Sequence, residues 1–278
     1  MKERFDHLSS ACSEAVTRLY STSFSLGITF LAKELRQPIY AIYGFVRLAD
    51  EIVDSFHDYD KPYLLDKFKQ DCFEAIDHRI SLNPVLNSFQ AAVHQYNIDI
   101  ELIRLFLKSM EMDLHKQDYT PETYEQYILG SAQVVGLMCL QVFTGGDKQE
   151  YEKLKMPAMK LGAAFQKVNF LRDLNADYSE LGRTYFPGIE VAKFTTADKR
   201  QIEQEITEDF DEALQGIRSL PSSSRKGVYL AFTYYRKLFI KIKKTEADKV
   251  LNQRIRISNS RKCLLMVDSM IRYKLNVI

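Results

Sequence analysis

Apolar residues recur at three- and four-residue spacing along almost the whole of this 278-residue chain, and no other feature restricts its fold as much. The pattern predicts helices over roughly 5–20, 23–35, 38–56, 62–80, 84–95, 99–115, 121–143, 148–177, 196–218, 224–244 and 246–274. Pro38, Pro62, Pro84 and Pro121 each fall near the start of a periodic segment, where a missing N–H costs nothing. With only 11 Gly and 7 Pro, neither a strand-rich nor a disordered chain fits. "FTGGDK" (143–148) and "SLPSSSRKG" (219–227) punctuate the pattern as turns. There is no repeat of solenoid length and no long linker, so one all-α domain over 1–278 is the simplest organisation.

Charge and cysteine usage narrow the function. Thirty-eight basic residues stand against 37 acidic ones, a net charge of +1, which leaves no bulk electrostatic case for nucleic acid. Cys12, Cys72, Cys139 and Cys263 lie far apart and form no C-x-x-C pair, so they read as reduced thiols. The five histidines show no metal spacing. "MKERFDHLSS" lacks the apolar run of a signal peptide, and "VVGLMCLQVF" (134–143) is too short to span a bilayer. A cytoplasmic protein, at most resting on a membrane surface, is expected. The basic run "KIKKTEADK" (241–249) reads as a solvated face, with membrane contact as its alternative.

Two acidic stripes break the otherwise ordinary helix pattern. At about 100° per residue, Tyr43, Arg47, Asp50 and Asp54 share an arc of roughly 60°, and Gln166, Asn169, Asp173 and Asp177 one of roughly 80°. Apolar residues fill the gaps in both. Asp-x-x-x-Asp is a weak motif, occurring also at Asp54/Asp58. If each pair edges a solvated helix, the repulsion costs only a few tenths of a kcal/mol. If the pairs face a cleft, two carboxylates ~4 Å apart repel by about 4 kcal/mol at an effective dielectric of 20, and the arrangement needs a cation. Carboxylates without Cys or His partners favour a hard cation; Mg²⁺ keeps positions open for water and substrate phosphates. Spacing leaves both readings open.

Longer stretches carry a resemblance. "YSTSFSLGITFLAKELRQPIYAIYGFVRLADEIVD" (20–54) resembles the N-terminal signature of the phytoene and squalene synthase family, and "FQKVNFLRDLNADYSELGRTYFP" (165–187) its second signature. The two lie in the family's order, and the chain is similar to bacterial phytoene synthases almost end to end. The resemblance implies an all-α isoprenoid synthase fold, a helical bundle around a central cavity, and head-to-head condensation of two prenyl diphosphates. By motif, Asp50 and Asp54 hold Mg²⁺ (Mn²⁺ is the alternative) on one wall, and Asn169, Asp173 and Asp177 on the other. Tyr20, Ser21, Thr22, Ser23 and Phe24 occupy the family's S-x-S-F position near a diphosphate. Tyr43, Arg47, Gln166, Arg172 and Tyr185 match further substrate contacts; Tyr235 and Arg254 match C-terminal positions that close over diphosphate. Tyr127, Val135 and Gly136 fall in the cavity-wall segment.

The implied product is 15-cis-phytoene from two geranylgeranyl diphosphates, by way of a cyclopropyl diphosphate and without NADPH. The alternatives are a squalene or dehydrosqualene synthase using farnesyl diphosphate, or an inactive relative acting as an assembly factor. All the principal acids are present, which favours an enzyme, expected as a monomer or weak dimer. Three departures stand out: Glu51 replaces a common Asp but points off the metal stripe, Lys167 sits where a small or apolar residue is commoner, and "LNA" (174–176) replaces the usual spacer.

Overall fold

Side-chain caps and prolines start the helices where the sequence placed most of them. The structure is a computed structural model that describes residues 2–115, 119–176, 178, 184–252 and 254–275. Its α-helices are α1 (Lys2–Tyr20), α2 (Thr22–Thr29), α3 (Lys33–Ser55), α4 (Lys61–His78), α5 (Pro84–Tyr96), α6 (Ile100–Met112) and α7 (Pro121–Ile128). A π-helical turn, Leu129–Gln133, joins α7 to α8 (Val134–Phe143). Then follow α9 (Lys148–Ala176), α10 (Thr196–Ser219), α11 (Ser222–Lys243), α12 (Ala247–Asn252) and α13 (Asn259–Lys274). No strand occurs among the described residues.

The caps are chemical. Asp60 accepts from the Tyr63 amide at 3.0 Å, and Asn83 from the Val85 amide at 3.0 Å, with Pro62 and Pro84 in the first helical positions beside them. Thr120 and Thr195 each close a reciprocal capping box. Pro38 departs from expectation: it lies inside α3, which begins at Lys33. The earlier start follows from tertiary contacts, since the Ala32 amide donates to the Ser223 carbonyl at 2.8 Å and Leu35 is buried.

The expected helix 246–274 is two helices. Between them "RIRIS" (254–258) buries Ile255 and Ile257 while Arg254, Arg256 and Ser258 are exposed, an alternation of period two that belongs to extended backbone. The stretch 134–143 also belongs to something longer. Pro121–Phe143 forms a continuous helical rod of 23 residues, by length and composition sufficient to cross a membrane, yet packed between α6 and α9 with half its apolar window buried.

Packing sorts the helices into two groups around a shared core. In one, α1, α3 and α5 pack on one another, and Phe45 stacks on Phe89 with ring centroids 4.0 Å apart. In the other, α9 packs along α10 and α8, while α11 lies against α2. Lys167 finds its role here. It pairs with Asp209 of α10 at 2.9 Å, and Lys160 pairs with the same carboxylate at 3.0 Å. Asp209 is only 3% exposed, so two cations balance one buried charge where α9 meets α10. Cys12, Cys72 and Cys139 are free thiols; the side chain of Cys263 lies outside the described set.

Candidate active site

A cavity of about 280 Å³ lies between α2, α3, the α7–α8 rod, α9, α10 and α11. Its wall is almost wholly apolar, including Ile42, Val46, Leu161, Phe165 and Ile217. Small residues bring the helices close around it. A Cβ at Gly216 would sit 2.2 Å from Cβ of Pro157, and one at Gly136 would sit 2.9 Å from the Ala158 carbonyl oxygen. Gly136 therefore both lines the cavity and permits close helix packing, the two explanations open from sequence.

The polar end follows from helix register. On α3 the lining positions are Ile39, Ile42, Tyr43 and Val46; one turn beyond come Arg47 and Asp50, then Asp54. On α9 they are Phe165, Gln166 and Asn169; one turn beyond comes Asp173. The described members of both acidic stripes thus continue cavity-lining faces, which favours the cleft over the solvated edge. Asp177 lies outside the described residues.

Four aromatic rings join the two walls at this end. Phe24 lies 5.6 Å from Tyr43, 6.1 Å from Phe165 and 5.9 Å from Tyr235, centroid to centroid, and Phe165 stacks on Tyr235 at 3.9 Å. Burial pushes the Tyr235 phenol up to about 12, and Asn169 hydrogen-bonds to it. Burial likewise raises Tyr43, against the opposing effect of a hydrogen bond from Ser21. Both phenols are protonated donors at neutral pH.

Arginines hold the acids. Arg47 pairs with Asp50 and Glu51 and lies 4.3 Å over the Tyr20 ring. Burial would lower the guanidinium pKa, but Asp50 and Glu51 outweigh it and leave it above the ordinary value. Glu51, which the sequence set aside, belongs to this network. Burial would raise its pKa, but hydrogen bonds from Arg47, Ser55 and Tyr20 hold it below the usual carboxylate range. The i,i+4 spacing of Arg47 and Glu51 was the available signal. Across the cavity, Arg172 binds Asp173 through Nε at 2.9 Å and through a second, shorter contact. Arg254 reaches the same carboxylate from the extended segment at 2.8 Å.

The remaining expected residues divide. Ser21 caps α2, accepting from the Phe24 amide at 3.2 Å; Thr22 is exposed and Ser23 half-buried in the first turn. Gln166 lines the cavity. Tyr127 and Tyr185 do not. Tyr127 donates to Asp113 at 2.8 Å, and Tyr185 stacks on Phe170 at 3.8 Å, behind the wall. The Tyr127 hydroxyl and both rings take part in packing contacts.

The donor set suits a hard cation. Asp50, Asp54, Asn169 and Asp173 offer only oxygen ligands, and Asn169 Oδ1 is shielded from solvent with no hydrogen-bond partner among the described residues. A buried unpaired acceptor is costly, and a metal ion would satisfy it. Among the described residues no three His, Cys, Asp or Glu side chains gather tightly enough to hold an ion alone. Ligands from both walls, completed by substrate oxygens, fit this arrangement.

Known proteins extend the picture. The chain is 28% identical to chloroplastic phytoene synthase 1 of Solanum lycopersicum over 288 residues, covering 96% of this chain and 67% of that protein. It is 28% identical to the chloroplastic phytoene synthase 2 of the same plant, covering 96% of this chain and 89% of that one. Its fold matches a dehydrosqualene synthase crystallised with a ligand, with a TM-score of 0.82 at 21% identity over 97% of this chain and 98% of the other. That likeness establishes the isoprenoid synthase fold. Residues 17–261 match the squalene/phytoene synthase family model, and with both acidic walls inside that span the chain belongs to the squalene/phytoene synthase family, prenyltransferase-type enzymes acting on prenyl diphosphates.

Proposed function

We propose that this protein joins two geranylgeranyl diphosphates head to head, releasing pyrophosphate and forming 15-cis-phytoene through a cyclopropyl diphosphate. The observation that carries the reading is the continuity of a dry apolar cavity with two acidic, arginine-bearing helix faces at one end. Similarity to phytoene synthases over nearly the whole chain supports the twenty-carbon substrate.

Each part of the site has a task. Asp50 and Asp54 on one wall, and Asn169, Asp173 and Asp177 on the other, would hold Mg²⁺, or Mn²⁺ in its place; when bound it neutralises diphosphate and acts as a Lewis acid towards the leaving pyrophosphate. Arg47, Arg172 and Arg254 now engage carboxylates, and a diphosphate offers them equivalent oxygens in the same fork geometry. Binding is thus an exchange of partners. Cleavage of the first donor's C–O bond leaves its electron pair on pyrophosphate and an allylic cation in the cavity. The Phe24, Tyr43, Phe165 and Tyr235 ring faces stabilise that cation, and the apolar wall keeps water from quenching it. The second substrate's double bond attacks, a proton leaves, and the cyclopropyl diphosphate closes. Its own ionisation, rearrangement and proton loss complete the hydrocarbon, with no hydride needed.

Incubation with Mg²⁺ and either fifteen- or twenty-carbon diphosphate, with and without NADPH, tests this directly. A forty-carbon hydrocarbon without NADPH is expected. A thirty-carbon product would reassign the substrate to farnesyl diphosphate, and no pyrophosphate release from either would make the protein a binding factor. Asp50→Asn and Asp173→Asn should each lower turnover roughly a hundredfold or more while the fold persists. Near-normal rates at saturating Mg²⁺ would remove both residues from the mechanism.

A further inference from the structure

Helix α13 packs Leu265 against the core yet carries a second set of apolar residues on its outer side. Leu264, Val267, Ile271 and Leu275 are 69%, 49%, 51% and 67% exposed. At about 100° per residue they fall within an arc of roughly 80°, nearly opposite Ser269, which is only 3% exposed. The helix therefore turns Leu265 and Ser269 inwards and presents a separate hydrocarbon ridge to solvent. Over eleven residues at about 1.5 Å each, the ridge runs roughly 16 Å.

Its flank is cationic. The groove between α13 and α11 is lined by Lys237, Lys241, Lys244 and Arg272 against the single acid Asp268, with the exposed Ile240 among the lysines. These lysines lie on the reverse of α11 from Val228, Ala231 and Tyr235, which line the cavity. The basic run read from sequence as a solvated face thus borders an apolar patch, and monomeric soluble proteins seldom expose such patches without use.

We propose that the α11–α13 face docks on an anionic lipid bilayer, the ridge entering the acyl boundary and the lysines meeting lipid phosphates. Charge complementarity selects the occupant: a basic shoulder beside an apolar ridge matches the two layers of an anionic interface. The convex, unpartnered ridge suits a fluid surface that closes around it. The inference stands apart from the proposed reaction, since vesicle binding is read without substrate.

Flotation of the full chain with phosphatidylcholine vesicles, with and without 30 mol% phosphatidylglycerol (roughly one anionic lipid in three), is the test. Binding to the anionic vesicles alone, weakened by salt, is expected. Lys237→Ser with Lys244→Ser should lower that affinity about thirtyfold, at about tenfold per 1.4 kcal/mol and about 1 kcal/mol per lysine. Leu264→Glu with Ile271→Glu should abolish it, with thermal melts showing both variants folded. The proposal is overturned if the wild type stays off anionic vesicles, if the lysine variant floats as well as the wild type, or if the wild type is a dimer that the glutamate variant makes monomeric without any vesicle binding to lose.

Discussion

Asn169 is where the stability and the chemistry of the site should move in opposite directions. Its Oδ1 is buried with no hydrogen-bond partner among the described residues, while its side chain hydrogen-bonds Tyr235. Asn169→Leu keeps the volume and deletes both groups. Removing the unpaired acceptor should stabilise the ligand-free fold by about 1–3 kcal/mol, and losing the bond to Tyr235 should cost about 1 kcal/mol. The net lies between about zero and 2 kcal/mol of stabilisation. For a chain of this size that is a rise in Tm of at most about 8 °C, at roughly 2–4 °C per kcal/mol. Ligand should reverse the order. Mg²⁺ with inorganic pyrophosphate at a hundred times its Kd stabilises the wild type by about 2.7 kcal/mol, and the variant, short of one oxygen ligand, should lose most of that shift together with its turnover. Differential scanning calorimetry with and without Mg²⁺ and pyrophosphate reads both effects in one experiment. A ligand-free variant melting more than about 5 °C below the wild type, or one that keeps the full ligand shift, would show that Asn169 is a structural amide and not a cation ligand.

Asp209→Ala should destabilise the protein by about 3 kcal/mol in urea unfolding, because Lys160 and Lys167 lose their close buried partner and keep only Glu212 at 3.8 Å and Glu205 at 3.6 Å; activity per folded molecule should stay within a factor of about two, since the trio stands outside the cavity. Tyr235 makes a pH prediction. Its folded pKa is raised by burial to about 12, above the ordinary 10, so its contribution is fully present below pH 10 and is lost as pH rises towards 12, by at most roughly 3 kcal/mol. Urea unfolding across that window should therefore show a steeper alkaline decline in wild type than in Tyr235→Phe. Equal slopes would place the Tyr235 hydroxyl in water.

Much of this was legible because helices report themselves through a 3.6-residue period. Pro62, Pro84 and Pro121 sit in first helical turns as their missing N–H groups predict, and Asp50, Asp54 and Asp173 continue cavity-lining faces. Pro38 did not mark a start, because the Ala32–Ser223 backbone contact that begins α3 early joins residues remote in sequence. The break at "RIRIS" was in plain sight as a period of two, hidden only by the helical pattern on either side. It matters because that extended segment delivers Arg254 to Asp173. Glu51 was set aside by motif comparison, although its i,i+4 relation to Arg47 gave a local reason to include it. Tyr127 and Tyr185 stack against Phe170, a contact that motif spacing does not reveal.

One further signal was present at the end of α3. Helix C-termini carry partial negative charge and ordinarily attract Lys, Arg or His in the last turn. The last turn of α3 has no basic residue and instead bears Asp54. The placement costs about 0.3–1 kcal/mol. Departures of this kind concentrate where function requires them. In the ligand-free protein the arginines at positions 47, 172 and 254 offset the acidic charge of the two walls. Those same guanidinium groups fit diphosphate oxygens, and the carboxylates they cover fit a divalent cation. Loading the site with a cation and a diphosphate together therefore leaves neither partner of any pair uncompensated, whereas either one alone strands charge on one side. The proposed function therefore predicts cooperative binding of metal and diphosphate, before any motion of the helices is invoked.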